Sequence, residues 1–168
     1  MTTSRQPARR RRSPIAGRSR KIELARAAWG AALLFGPRQV MTNVHHLTVD
    51  SKSVVIARIL GARHLTQAAL SGLRPSPEVL AMGMWVDAVH SSTALALAII
   101  DRSRARAGLT DAAVAGFWSA AGYRDLARAG ATLPSHQRGR DRLARLVLGV
   151  APGGRLLLRR ANADRRPR

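Results

Sequence analysis

The sequence predicts an all-α fold, a four-helix membrane bundle of antiparallel hairpins with disordered basic tails. Three observations predict it. The longest apolar run, Val79 to Ile100, is long enough to cross a bilayer. Three further helix-period segments flank it, punctuated by Gly and Pro. The charge belongs to the ends. Of a net +20, built from 29 basic and 9 acidic residues, the first 21 residues hold eight basic and no acidic ones. His136 to Arg168 hold ten Arg against only Asp141 and Asp164, whereas the middle of the chain is near balance. At 168 residues the chain fits one domain. The expected divisions are a disordered basic tail over 1–19, a membrane domain over 20–130, and a basic tail with a short amphipathic helix over 131–168.

Taken in order, Met1 to Ser19 is rich in Arg, Ser and Pro and has too little apolar surface to offset its ordering entropy. Ser19 to Phe35 reads as the first helix, with Glu23 and Arg26 three apart and a Gly36-Pro37 stop. Only Ala27 to Phe35 is free of charge, so this segment crosses a bilayer only if Arg26 snorkels toward the headgroups. No small-x-small cleavage site follows it, so it is read as a retained helix, not a signal peptide. Arg38 to Ser53 reads as a loop. Its neighbouring His45 and His46 have no third ligand at a characteristic spacing, so no metal is expected.

Val54 to Leu73 reads as the second helix, with a small-residue stripe of Ala57, Gly61, His64, Ala68 and Ser71 suited to close helix contact. Ser76, Pro77 and Glu78 form an N-terminal signature for the third helix, and the short link before them dictates a hairpin. Gly83, Asp87, His90 and Ala94 share a face of that helix and are expected to look at the second one. Thr110 and Asp111 read as caps of a fourth helix. Arg138 to Leu148 reads as a short amphipathic helix, followed by a Pro-Gly-Gly break and a Leu-rich patch inside an Arg-rich tail.

Asp87 lies in the middle of the apolar run. The strongly apolar residues there contribute roughly −4 kcal/mol to insertion and a central Asp costs about +3 kcal/mol, before His90 and the hydroxyls are counted. A partner must therefore neutralise Asp87. Counted from the hairpin at Ser76, Arg63 and Asp87 lie at nearly equal depth, so they form the expected pair, with His64 and His90 beside them as a buried polar site. That site reads as a packing salt bridge or as a place for a proton or small polar ligand.

The basic tails suit anionic phospholipid, with Arg9, Arg10, Arg11, Arg12, Arg142, Arg145, Arg159 and Arg160 as the contacting residues. Two basic ends imply a cell-membrane protein with both termini cytoplasmic and an even number of spans. The turn from Arg102 to Arg106 disagrees, because it then lies outside with its Arg residues. The alternative is a soluble or peripheral nucleic-acid-binding protein gripping phosphates through its Arg tails. Nothing in the sequence favours an enzyme: there is no phosphate-binding Gly loop, HExxH, nucleophile elbow or carboxylate pair. With no Cys, disulfides, thiolate metal sites and Cys nucleophiles are excluded, and no cofactor is implied.

The first helix closing on Gly36-Pro37, the Leu60-Gly61-Ala62-Arg63-His64 segment and Asp87 in an Ala-rich run carry a resemblance. From Ile22 to Tyr123 the chain resembles an uncharacterised family of small bacterial four-helix membrane proteins, a domain of unknown function. The resemblance implies a compact helical membrane protein with no assigned activity; the Arg-rich tails depart from it.

Overall fold

The computed structural model describes residues 20–44, 49–128 and 138–163. They are all-helical, with seven α-helices, one 3-10 turn and no strand among the described residues. The stretch 1–19, with Arg9 to Arg12, and the pair His45 and His46 lie outside them.

Helix α1, Ile22–Phe35, stops at Gly36 as expected. Pro37 then opens a short helix, α2, Pro37–Asn43, inside the segment the sequence reads as a loop. Pro at the first helical position costs no hydrogen bond, and α2 buries Val40 and Met41 against Leu33, Val54 and Ala57. Helix α3, Ser51–Ser71, begins where the Asp50 carboxylate accepts from the Ser53 amide at 2.6 Å and ends at Gly72, whose φ of 58° suits glycine alone. The Ser76 hydroxyl accepts from the Val79 amide to start α4, Pro77–Ile100, which is the one helix among the described residues long and apolar enough to cross a membrane. After a 3-10 turn at Arg102–Arg104, α5 runs over Ala105–Arg128.

The expected caps of the fourth helix are a correction. Thr110 and Asp111 sit inside α5, where the Thr110 hydroxyl donates to the Arg106 carbonyl and Asp111 turns to His90. Capping passes to Asp101, whose carboxylate accepts from the Ser103 amide at 3.0 Å. Gly108, which looks like a breaker, stays helical because it lets α5 close on α4: a Cβ there would lie 2.8 Å from the Ala98 Cβ.

Packing is pairwise. Helix α1 packs chiefly on α3, and α4 chiefly on α5. The first pair crosses at two glycines: a Cβ on Gly61 would lie 2.6 Å from the Leu34 amide nitrogen and 2.7 Å from the Gly30 carbonyl. The small-residue stripe of α3 therefore meets α1. The expected α3–α4 interface through Gly83, Asp87, His90 and Ala94 is divided instead, since Asp87 faces α1 and α3 whereas His90 and Ala94 face α5.

The stretch 131–168 is more than a tail with one short helix. Helices α6, Arg138–Val150, and α7, Gly154–Ala163, form a hairpin on the first turns of α4. Ala144, Leu148 and Ala161 close a core with Val79, Leu80, Ala81, Met82 and Leu126. The Leu-rich patch is the inner face of α7, with Leu157 and Leu158 against that core. The short amphipathic helix expected from Arg138 is present as α6, and the Pro152-Gly153 turn folds it with the Leu-rich segment into one docking face.

Besides these apolar cores, the protein buries charged and polar groups and exposes large apolar ones. Arg26, Glu23, His64, Gln67 and Asp87 are buried, while Phe35, Ile59, Leu97, Ile99, Ile100 and Phe117 lie on the outside. The first turns of α4 are buried, but in its most apolar stretch only 17% of the residues are.

Candidate functional site

The two helix pairs are joined by charge. Asp87, fully buried at the centre of α4, receives a two-pronged contact from Arg26 of α1, with Nη1 to Oδ1 at 3.2 Å and Nη2 to Oδ2 at 2.8 Å. From α3, Arg63 Nη2 donates to Oδ1 at 3.2 Å, and Gln67 Nε2 donates to the same oxygen at 3.1 Å. Arg63 also reaches the Val86 carbonyl. One carboxylate thus accepts from three side chains on two helices, close to the full capacity of its lone pairs.

The network extends toward the start of α1. Arg26 Nε lies 3.2 Å from Glu23, Glu23 lies 2.9 Å from Arg20, and Arg20 Nε lies 2.7 Å from Asp125 of α5. Glu23 is held at ion-pair distance, without well-directed hydrogen bonds to its oxygens. Three cations and three carboxylates balance in this chain of contacts, so burial is not opposed by net charge. The Arg26 guanidinium also stands 5.1 Å from the centroid of the Trp118 ring, which binds α5 to the same cation.

Of the residues the sequence groups here, Arg63 and Asp87 meet. His64 and His90 do not join them. His64 is fully buried beside Trp118, with ring centroids 5.3 Å apart, and neither of its nitrogens has a hydrogen-bond partner among the described residues. His90 Nε2 lies 2.7 Å from Asp111, a separate tie between α4 and α5. The residue missed is Arg26: read as snorkelling outward, it is 2% exposed and points into the protein. The signal was present in Glu23, Arg26 and Gly30, which recur at helical spacing on one face, the polar face of a helix that is apolar elsewhere.

Cavities lie on either side of the network. One of about 330 Å³ is lined by Arg63, Gln67, Ser71, Met82, Val86 and Val147. The other, about 280 Å³, is walled by Trp29, Leu33, Leu60 and Leu97, with the His90–Asp111 pair and Arg104 on its edge. Among the described residues no group of three or more His, Asp or Glu is close enough to hold a metal.

The expected lipid-contacting arginines divide. Arg142 and Arg159 are exposed. Arg145 Nη1 donates to the buried Glu78 at 3.3 Å, and Arg160 lies 5.5 Å from the Tyr123 ring centroid. These two are partly committed inside the protein because the hairpin docks. No family model matches the chain, and no curated protein or solved structure matches it.

Proposed function

We propose that this chain is a small integral membrane protein whose four long helices, α1, α3, α4 and α5, cross the bilayer around the Asp87 network, with its basic end on the anionic inner leaflet. The observation that carries this reading is the ionic network buried among helices whose outer faces are apolar. In water, an apolar helix as uncovered as α4 and a core of buried charges are both unfavourable, since the hydrophobic effect drives the opposite arrangement. In lipid, each becomes the stable choice: apolar side chains face the hydrocarbon and ionisable groups pair inside.

The dimensions agree. No charged residue faces outward on α1 between Lys21 and Arg38, or on α5 between Arg106 and Arg124. At ~1.5 Å per residue the α5 interval is roughly 27 Å and the 14 residues of α1 itself roughly 21 Å, against a hydrocarbon core of about 30 Å. On α3 the interval from Lys52 to Arg74 contains one exposed cation, Arg58, a turn and a half from the end and within snorkelling reach. The charged residues within these three helices, Glu23, Arg26, Arg63 and Asp111, are each paired with another side chain of the protein. Exposed hydroxyls of α3 and α4 bond back to their own helices, as Thr66 does to Ala62 and Ser92 to Ala88.

Orientation follows from the basic residues. Arg20, Lys21, Arg74 and Arg124, with the arginines of α6 and α7, lie where α1 begins and α5 ends; Arg38, Lys52, Arg102, Arg104 and Arg106 lie at the opposite end. The excess on the first side places it in the cytoplasm. The objection raised by the Arg102–Arg106 turn weakens, because Arg104 is paired with Asp101 at 3.0 Å and with Asp50 at 3.4 Å.

The test is extraction. The protein should stay with membranes through washes in high salt and in alkaline carbonate, and should be released by detergent. Release by salt alone, with salt-sensitive binding to DNA, would select the nucleic-acid reading instead.

A further inference from the structure

The α6–α7 hairpin has no role in the Asp87 network, and its geometry points to a specific relation with lipid. Helix α6 runs alongside α4 in the same direction. Arg140 at its start reaches the Leu70 carbonyl, Asp141 meets Ser76, Arg145 meets Glu78, and the turn after α6 reaches Trp85, whose Nε1 donates to the Pro152 carbonyl at 2.9 Å. Helix α7 then returns, with Arg160 over Tyr123 and Ala161 in the core with Leu80 and Leu126. The tip therefore stands eight residues into α4, roughly 12 Å beyond its first residue at ~1.5 Å per residue.

We propose that α6–α7 is a re-entrant hairpin that dips into the inner leaflet beside α4, its tip among the acyl chains and its base among anionic headgroup phosphates. This rests on the membrane reading above. Two independent features support it. The first is the sorting of side chains along the hairpin. Leu146, Val150 and Leu156 near the tip are exposed, at 68%, 82% and 67%, although the opposite face of the same helices is already packed on α4. Toward the base the exposed residues are mostly cationic, Arg142, Arg145, Arg159 and Arg160, with Leu143, at 41%, less exposed than the three apolar residues near the tip. A cap facing water would need no second apolar face.

The second is the backbone of the tip. A turn placed among acyl chains cannot leave carbonyls for water to satisfy. Here the Val147 carbonyl accepts from the Ala151 amide, Ala151 from Gly154, Gly153 from Leu156, and Pro152 from Trp85. The one cation near the tip, Arg155, turns back so that its Nε donates to the Gly149 carbonyl at 3.3 Å, at the C-terminal end of α6, where the helix dipole favours positive charge. Gly153, at φ 72°, makes the turn, and Gly154 allows α7 to touch the Leu148 carbonyl, where a Cβ would overlap.

The absence of native Cys makes the test direct. Single variants Val150→Cys, Arg142→Cys, Arg159→Cys and Leu97→Cys of the full chain are labelled with an environment-sensitive fluorophore. Each is reconstituted in vesicles of phosphatidylcholine with phosphatidylglycerol, and quenched either by iodide or by lipids spin-labelled along the acyl chain. The hairpin reading predicts that position 150 resists iodide and is quenched most by mid-chain spin labels, while 142 and 159 are quenched by iodide and by headgroup-level labels. Iodide quenching at 150, depth equal to that of 142, or insensitivity of 150 to both quenchers overturns it. Leu97 on α4 is the control: lipid quenching at 97 with iodide quenching at 150 rejects the hairpin alone, whereas iodide quenching at 97 rejects the membrane reading itself.

Discussion

Asp87 and Arg26 decide the energetics at the scale of single residues. A buried carboxylate holding two arginines contributes little net stability relative to an apolar core, yet removing it strands both cations. Asp87→Asn should therefore cost about 3 kcal/mol or more, read as a lowered midpoint of thermal unfolding in detergent. Arg26→Gln should cost more than Arg63→Gln. Arg26 makes the two-pronged contact and is buried, whereas the Arg63 side chain is 20% exposed and shares Asp87 with other donors. Equal costs would show that the carboxylate is held by its surroundings in general and not by α1.

Outside the proposed spans, Asp50 and Asp101 have carboxyls held below the usual range. The Ser53 amide and hydroxyl bond the first, with Arg104 adding to it; the Ser103 hydroxyl and amide bond the second, with Arg104 again adding. A depressed folded value means that the stabilisation is complete above the unfolded carboxylate range, near pH 4, and is lost as the pH falls through the lowered folded value. Asp50→Asn keeps a cap that does not titrate. The wild-type advantage in melting temperature should accordingly be constant from pH 7 to 5 and shrink below pH 4.

Between elements, close approach does the work that large apolar side chains do in water-soluble cores. The Cβ of Gly61→Ala would strike the backbone of α1 at Leu34 and Gly30, so α1 and α3 must separate, at a cost of about 1–3 kcal/mol. Gly149→Ala meets nothing within 4 Å and should be neutral or slightly stabilising through helix propensity. Melting curves of the two variants, one down and one not, check this.

The same scale shows how far the sequence could be read. Helices α1, α3 and α4 were legible because their signals are local: Gly36-Pro37, Gly72, Ser76-Pro77; the Asp50 cap that starts α3 went unread inside the segment taken for a loop. The Arg63–Asp87 meeting was legible because equal distance from a hairpin is simple arithmetic. The inward turn of Arg26 was not, since an Arg beside a short apolar segment serves equally to snorkel outward until a facing carboxylate is known. His90 was assigned to the wrong partner for a related reason. Sharing a helix with Asp87 does not place it on the same interface, and Asp111, taken for a cap, was the acceptor it needed. The α6–α7 hairpin escaped detection because each helix alone is short and Arg-rich, and its apolar face exists only when folded against α4.

For the molecule as a whole, two apolar helix pairs are joined by a balanced ionic network, with apolar surface outward and an excess of cations at one end. Four crossings require both ends of the chain on one side and the links between α1 and α3 and between α4 and α5 on the other. The most direct measurement is accessibility labelling in intact cells, using single Cys placed in the N-terminal tail, at Ser103 and in the C-terminal tail. The account predicts that an impermeant thiol reagent modifies Ser103→Cys without permeabilisation and reaches both tails only after it. Tails labelled from opposite sides, or Ser103→Cys labelled only in permeabilised cells, would contradict it.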